Sequence, residues 1–116
     1  MIQLTPHMKI FIYLPVTDFR CGLDCLISMA ERHIEENTFS GNLYLFKNRK
    51  STCVKMIMYD GQGYWLFQKR LSSGKFKWWP KNSDEVKKID AHALQVFLRN
   101  GDPENCFFGE DWRPLK

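Results

Sequence analysis

Hydrophobic and polar positions change period several times along this chain, and each change predicts an element. Lys9 to Leu14 is rich in Ile, Phe and Tyr, reads as a short strand, and is stopped by Pro15. Thr17 or Asp18 then supplies a helix cap, and Leu23, Leu26, Ile27, Ala30 and Ile34 recur at helical spacing. Asp24, Glu31, Arg32 and Glu35 take the other side of that helix, and Asn37 to Gly41 ends it. Four strand-like segments follow with turn signals between them: Leu43 to Asn48, Cys53 to Tyr59, Tyr64 to Leu71, and Lys75 to Trp79. Pro80 ends the sheet, Lys81 to Lys88 reads as a polar connector, and a second helix starts at an Asp90 cap. That helix carries Leu94, Phe97 and Leu98 inward and closes at Gly101.

The turn Asp60-Gly61-Gln62-Gly63 is the clearest hairpin signal. A loop of two or of four residues there gives one register, with Tyr59 opposite Tyr64. Alternation then gathers Val54, Met56, Met58, Trp65 and Phe67 on a core face. Cys53, Lys55, Ile57, Tyr59, Tyr64, Leu66, Gln68 and Arg70 fall on the other. A two-residue loop at Ser73-Gly74 adds Phe76 and Trp78 to the core face, with Lys75, Lys77 and Trp79 outside. A three-residue loop would instead set Lys69 against Lys77, a like-charge pair that sheets avoid. Lys69 is left on the apolar face, where it snorkels out at the sheet margin.

The order strand, helix, four strands, helix predicts a single α+β domain over 1–116. Its parts are a loose lead-in (1–8), a core (9–101) and a tail (102–116), in which Trp112 of Gly109 to Arg113 is a packing candidate. The expected sheet is an antiparallel meander of four to five strands, with both helices covering one face and the other face open to solvent. The strand Lys9 to Leu14 is also open to pairing across a homo-oligomer.

With 116 residues, 44% hydrophobic and 26% charged, the composition is that of one globular domain rather than a disordered chain. The apolar run Ile10 to Leu14 is far too short for a membrane span, and no secretory signal precedes it. A soluble, cytoplasmic protein is expected. Its four cysteines, Cys21, Cys25, Cys53 and Cys106, then read as free thiols. Cys21 and Cys25 have the wrong spacing for a zinc knuckle and no second ligand pair, so neither a metal nor another cofactor is expected.

Charge is strongly polarised. Gly41 to Lys81 holds nine cations and one acid, a net +8, while the other residues hold eight cations and twelve acids, a net −4. Nine of the seventeen aromatics lie in the same basic stretch. Such a map points to an anionic partner and a defined binding side.

At this point the residues resemble a known family. Phe39 to Lys50, Val54 to Leu71, and Gly74-Lys75-Phe76-Lys77-Trp78-Trp79-Pro80 are similar to hallmarks of the TnpB accessory protein of insertion sequence family sixty-six. Thr17 to Leu26 looks like the family's Thr-Asp-Met-Arg-Lys-Gly-Phe-Asp-Gly-Leu pattern, and Gly109-Glu110-Asp111-Trp112 resembles its ending. The likeness runs in order from about Met8 to Trp112. Cys21 departs from a usually basic position and Cys25 from a small one. The resemblance implies an accessory to transposition, acting beside a separate transposase that cuts and joins DNA, with no catalytic residues to carry over.

The residues themselves support a nucleic-acid-binding module rather than an enzyme. The expected contacts are Lys47, Asn48, Arg49 and Lys50 on a projecting loop, then Lys55, Arg70, Lys75 and Lys77 on the outer face, with Trp79 or Tyr64 stacking on bases. The alternative is an assembly module that holds the transposase through Tyr59, Tyr64 and Trp79 beside Ile57 and Leu66, without contacting DNA. A nuclease built on Asp18, Asp60 and Asp111 is disfavoured, because a turn explains Asp60 and a cap explains Asp18.

Overall fold

Seven elements order the chain: β1 (Ile10–Tyr13), α1 (Leu23–His33), β2 (Leu43–Lys47), β3 (Cys53–Tyr59), β4 (Tyr64–Arg70), β5 (Val86–Ile89) and α2 (Ala91–Leu98). The computed structural model describes residues 9–33, 41–81 and 86–104. The lead-in 1–8, the stop after the first helix, Cys106 and the tail around Trp112 lie outside the described residues.

The strands form one five-stranded sheet in the order β4-β3-β2-β1-β5. The β3–β4 hairpin has the expected register, with Tyr59 opposite Tyr64 and Met56 opposite Phe67. Its turn is built by Asp60, whose Oδ1 accepts the N–H groups of Gln62 (2.8 Å) and Gly63 (2.9 Å), while Gly61 takes φ +96°. The domain is α+β, as expected.

Several details of the expected architecture are corrected. The sheet is mixed, because β1 runs parallel to β2 (Ile10 beside Leu43, Ile12 beside Leu45) and α1 forms the crossover between them. β1 is also an interior strand rather than an edge open to a partner, since β5 pairs antiparallel on its other side. Lys81 to Lys88 was expected as a connector, yet Val86–Ile89 is that fifth strand, with Ile89 opposite Ile10 and Val86 opposite Tyr13.

The segment Lys75 to Trp79 is not a strand. It folds back over the sheet with Phe76 and Trp78 buried, so the inward pair is right and the pairing is not. The Phe76 N–H is taken by the Ser51 carbonyl, and the Lys77 N–H by Asn100 Oδ1, which leaves neither for a ladder with β4. Aromatic packing replaces the ladder: the rings of Phe76, Trp78 and Trp79 lie 4.9, 5.8 and 5.7 Å from that of Phe97.

The helices lie on opposite faces. Leu94 and Phe97 of α2 pack with Ile10, Ile12, Leu43, Leu45, Val54 and Met56, whereas Leu26 and Ala30 of α1 pack with Phe11, Tyr44, Phe46 and Ile57. The face expected to be bare is therefore partly roofed, with Tyr44, Phe46 and Ile57 all at 0% exposure. A parallel β1–β2 pair requires a crossover over one face, which is where the apolar stripe of α1 is spent.

Asp90 caps α2 as expected, accepting the Ala93 N–H at 2.8 Å. Thr17 and Asp18 do not cap α1, which begins only at Leu23. Thr17 is instead buried, and its N–H donates to the Lys47 carbonyl at 2.8 Å, tying the segment before α1 to the end of β2. The reading of four free thiols is also corrected. Cys21 lies just ahead of the first turn of α1 and Cys25 within it, their Cα atoms 5.5 Å apart, and a disulfide joins them. Cys53 is a buried free thiol. Among the described residues no helix is long and apolar enough to cross a membrane.

Candidate nucleic-acid interface

The hairpin between β2 and β3 is held from within by Asn48. Its Oδ1 accepts the N–H groups of Thr52 (3.0 Å) and Cys53 (3.1 Å), and its Nδ2 donates to Thr52 Oγ1 (3.0 Å). Ser51 closes the turn at φ +59°. The side-chain amide of Asn48 is thus committed to its own loop rather than presented to a base edge. What the loop projects is its tip, Arg49 and Lys50, both exposed.

Lys47 points the other way. It is 8% exposed, its Nζ donates to Ser51 Oγ at 2.7 Å, and its ammonium sits 5.3 Å from the centre of the Trp79 ring. Burial pushes its pKa below the usual lysine value. Trp79 is likewise engaged, its indole N–H donating to the Leu14 carbonyl at 2.9 Å and its ring packed on Phe97. It is half-buried and packs with the α2-side core rather than on an open outer sheet face.

Arg49 and Lys50 meet Arg70, from the end of β4, across an open groove of about 760 Å³. The β3–β4 register makes this possible by setting Arg70 opposite Cys53, directly after the loop. The segment Val16 to Arg20 forms the opposite wall and brings Arg20 and Asp18. Arg20 grips Asp18 through two side-chain nitrogens, Nη2 to Oδ2 at 2.6 Å and Nε to Oδ1 at 3.1 Å, and its own N–H donates to Oδ1 at 3.0 Å. These bonds hold the Asp18 carboxyl at about 2, against its usual 3.8. Among the described residues Asp18 is the sole carboxylate lining the groove, and it is already engaged.

Lys55 stands on the same sheet face as Arg70 and steadies that wall. Its Nζ donates to the Phe19 carbonyl at 3.4 Å and lies 4.8 Å from the centre of the Phe19 ring. Lys75 and Lys77 are exposed but lie toward the α2 side, on the segment anchored by Asn100. Lys77 lines a separate depression with Lys47, Lys81 and Glu104. The nine expected contact residues therefore divide. Arg49, Lys50 and Arg70 converge, Lys55 supports them, Lys75 and Lys77 stand apart, and Lys47, Asn48 and Trp79 are held by internal contacts.

Arg20 was not among the expected residues. Nothing local in the sequence marks it, because the Thr17 to Lys47 main-chain bond is what brings its segment to the loop. The apolar patch expected for an assembly surface does not form, as Ile57 lies beneath α1 and Trp79 faces α2. Of the carboxylates considered for a nuclease, Asp18 and Asp60 lie at opposite ends of β3, and Asp111 lies outside the described residues. Among the described residues no three of His, Cys, Asp and Glu cluster to hold a metal.

The family model described as IS66 Orf2 like protein matches residues 8–106. An uncharacterized protein, y4hO, of Sinorhizobium fredii is 33% identical over 116 residues, covering 100% of this chain and 98% of its own. A second protein of that organism, y4jC, is 28% identical over 76 residues, covering 66% of this chain and 65% of its own. No solved structure matches the chain. From Met8 onward the hairpin, the groove wall and α2 all fall within the matched span, and the chain belongs to the IS66 Orf2-like family of insertion-sequence accessory proteins.

Proposed function

We propose that this accessory protein acts in the cytoplasm as a non-catalytic DNA-binding subunit of transposition, holding the phosphate backbone in the groove between Arg49, Lys50, Arg70 and Arg20. One observation carries the reading: three separated parts of the chain deliver cations to one groove whose sole carboxylate among the described residues is already paired. Arginine forks suit phosphate oxygens, and backbone contacts of this kind supply affinity and register rather than sequence readout. With the Asn48 amide spent on its loop, sequence choice falls to the element-encoded transposase, the expected protein partner.

The test is an anisotropy titration of labelled duplex carrying the element's ends, with and without transposase, across a salt series. Affinity should fall steeply with salt, and Arg49→Glu together with Lys50→Glu should abolish binding. Lys75→Glu with Lys77→Glu, away from the groove, should leave most of it. Equal losses from both double variants, or no loss from the first, would sink the reading. Co-purification with transposase that survives nuclease treatment, combined with groove variants of wild-type behaviour, would put the assembly role in its place.

A further inference from the structure

We infer that two copies of this chain join through β4, edge to edge and antiparallel about Phe67, into one continuous sheet. Among the described residues β4 is a terminal strand of the sheet, and it runs seven residues, Tyr64–Arg70. It carries a large exposed apolar side chain on each face, Trp65 at 53% exposure toward the α2 side and Leu66 at 42% toward the α1 side. The opposite edge differs. β5 has four residues, two of them Lys87 and Lys88, which is how proteins blunt an edge against pairing. β4 keeps its cations at one end only.

The hydrogen-bonding phase of β4 is set by its neighbours. The Leu71 N–H donates to the Thr52 carbonyl, and the Gly63 carbonyl accepts the Asp60 N–H, so odd-numbered residues turn their main chain toward β3. By alternation, Leu66, Gln68 and Arg70 turn theirs outward. Phe67 is the midpoint of the strand, so a two-fold axis there pairs it over its whole length. In that register Leu66 faces Gln68 of the second copy, and each such pair exchanges both main-chain hydrogen bonds.

Side chains agree with the same register. Trp65 faces Lys69 of the second copy, Tyr64 faces Arg70, and Phe67 faces itself. Every cation thus meets an aromatic ring, whereas parallel pairing in register would set Lys69 on Lys69 and Arg70 on Arg70. Trp65 and Phe67 already stack, centroids 6.3 Å apart, so the axis would extend this into a row of four rings. Because both strands present odd residues to one face, the two α2 helices stay on the same side of the joined sheet.

Sedimentation velocity of the full chain over a concentration series should show a monomer–dimer equilibrium. Leu66→Lys should shift it to monomer while circular dichroism and the melting temperature stay near wild type. Register is read by oxidative cross-linking, with the unsubstituted chain run alongside as the background. Phe67→Cys should link to itself, whereas Trp65→Cys should link to Lys69→Cys in a mixture and not to itself. A chain that is monomeric at every concentration overturns the proposal. So does a dimer indifferent to Leu66→Lys, a dimer whose cross-links show another register, or a β4 edge that pairs only with transposase.

Discussion

Lys69 reaches from β4 to the main-chain carbonyl of Leu98, the last residue of α2, and donates a hydrogen bond to it. A lysine on the apolar face of a sheet thereby satisfies one of the carbonyls a helix leaves without a partner at its C-terminus. It also puts a positive charge at the negative end of the helix dipole. Lys69→Met keeps the stem and removes both effects. The expected loss is about 0.5–1 kcal/mol in urea unfolding, with the slope unchanged. A wild-type midpoint would show that the contact carries no stability.

Asp18 should report its grip by Arg20 through pH. Its carboxyl titrates at about 2 in the folded chain and near 3.8 when unfolded, so its contribution to stability is complete above the unfolded value. That contribution is lost as pH falls through the folded value. Carboxyl NMR should place the Asp18 midpoint at about 2 and move it back toward 3.8 in Arg20→Gln. A midpoint unmoved by Arg20→Gln would contradict the assignment. Asp18→Asn should free Arg20, tighten DNA binding and steepen the log–log salt dependence by about one.

Thr17 is 4% exposed, and its Oγ1 has no hydrogen-bond partner among the described residues. A buried hydroxyl left unsatisfied works against folding, so Thr17→Val should stabilise the protein by about 1 kcal/mol. The main-chain bond to Lys47 survives that change. A destabilised variant would mean that the hydroxyl has work to do in the folded state.

The Cys21–Cys25 bridge closes a very small loop, with a separation of 4 in sequence. Loops of that size withhold only about 2 kcal/mol of freedom from the unfolded chain. Cys21→Ser with Cys25→Ser should lower unmodified stability by no more than that and leave α1 docked, because Leu26 and Ala30 hold it to the sheet. Added reductant should bring wild type and variant together. A gap that persists in reductant would assign these positions a role besides the bridge.

The central hairpin was legible because its information is local. Asp60 and its turn sit within a few residues of the tyrosines whose register they set. The α2 cap was legible for the same reason. Phe76 and Trp78 were correctly placed inward, but what turns their segment off the sheet edge is Asn100, which holds Lys77 from 23 residues away. β5 escaped notice since Lys87 and Lys88 interrupt its apolar pattern, and its identity as a strand comes from lying beside β1. The side taken by α1 depends on β1 and β2 being parallel, which no local spacing encodes. In the groove, the loop tip could be read directly. The inward turn of Lys47 toward Ser51 and Trp79 could not, because a lysine at the start of a basic loop looks exposed until an aromatic ring from elsewhere covers it.

β1 lies between β2 and β5, bonded to a neighbour on each side. During synthesis its second neighbour emerges after every other strand of the sheet, so the β1 edge facing β5 stays open until then. The β3–β4 hairpin needs no such delay, being made of adjacent residues. Pulse-labelled hydrogen exchange during refolding should find the amides of β3 protected first and those of β1 late. Until β5 arrives, one row of main-chain donors and acceptors on β1 stays half-clothed.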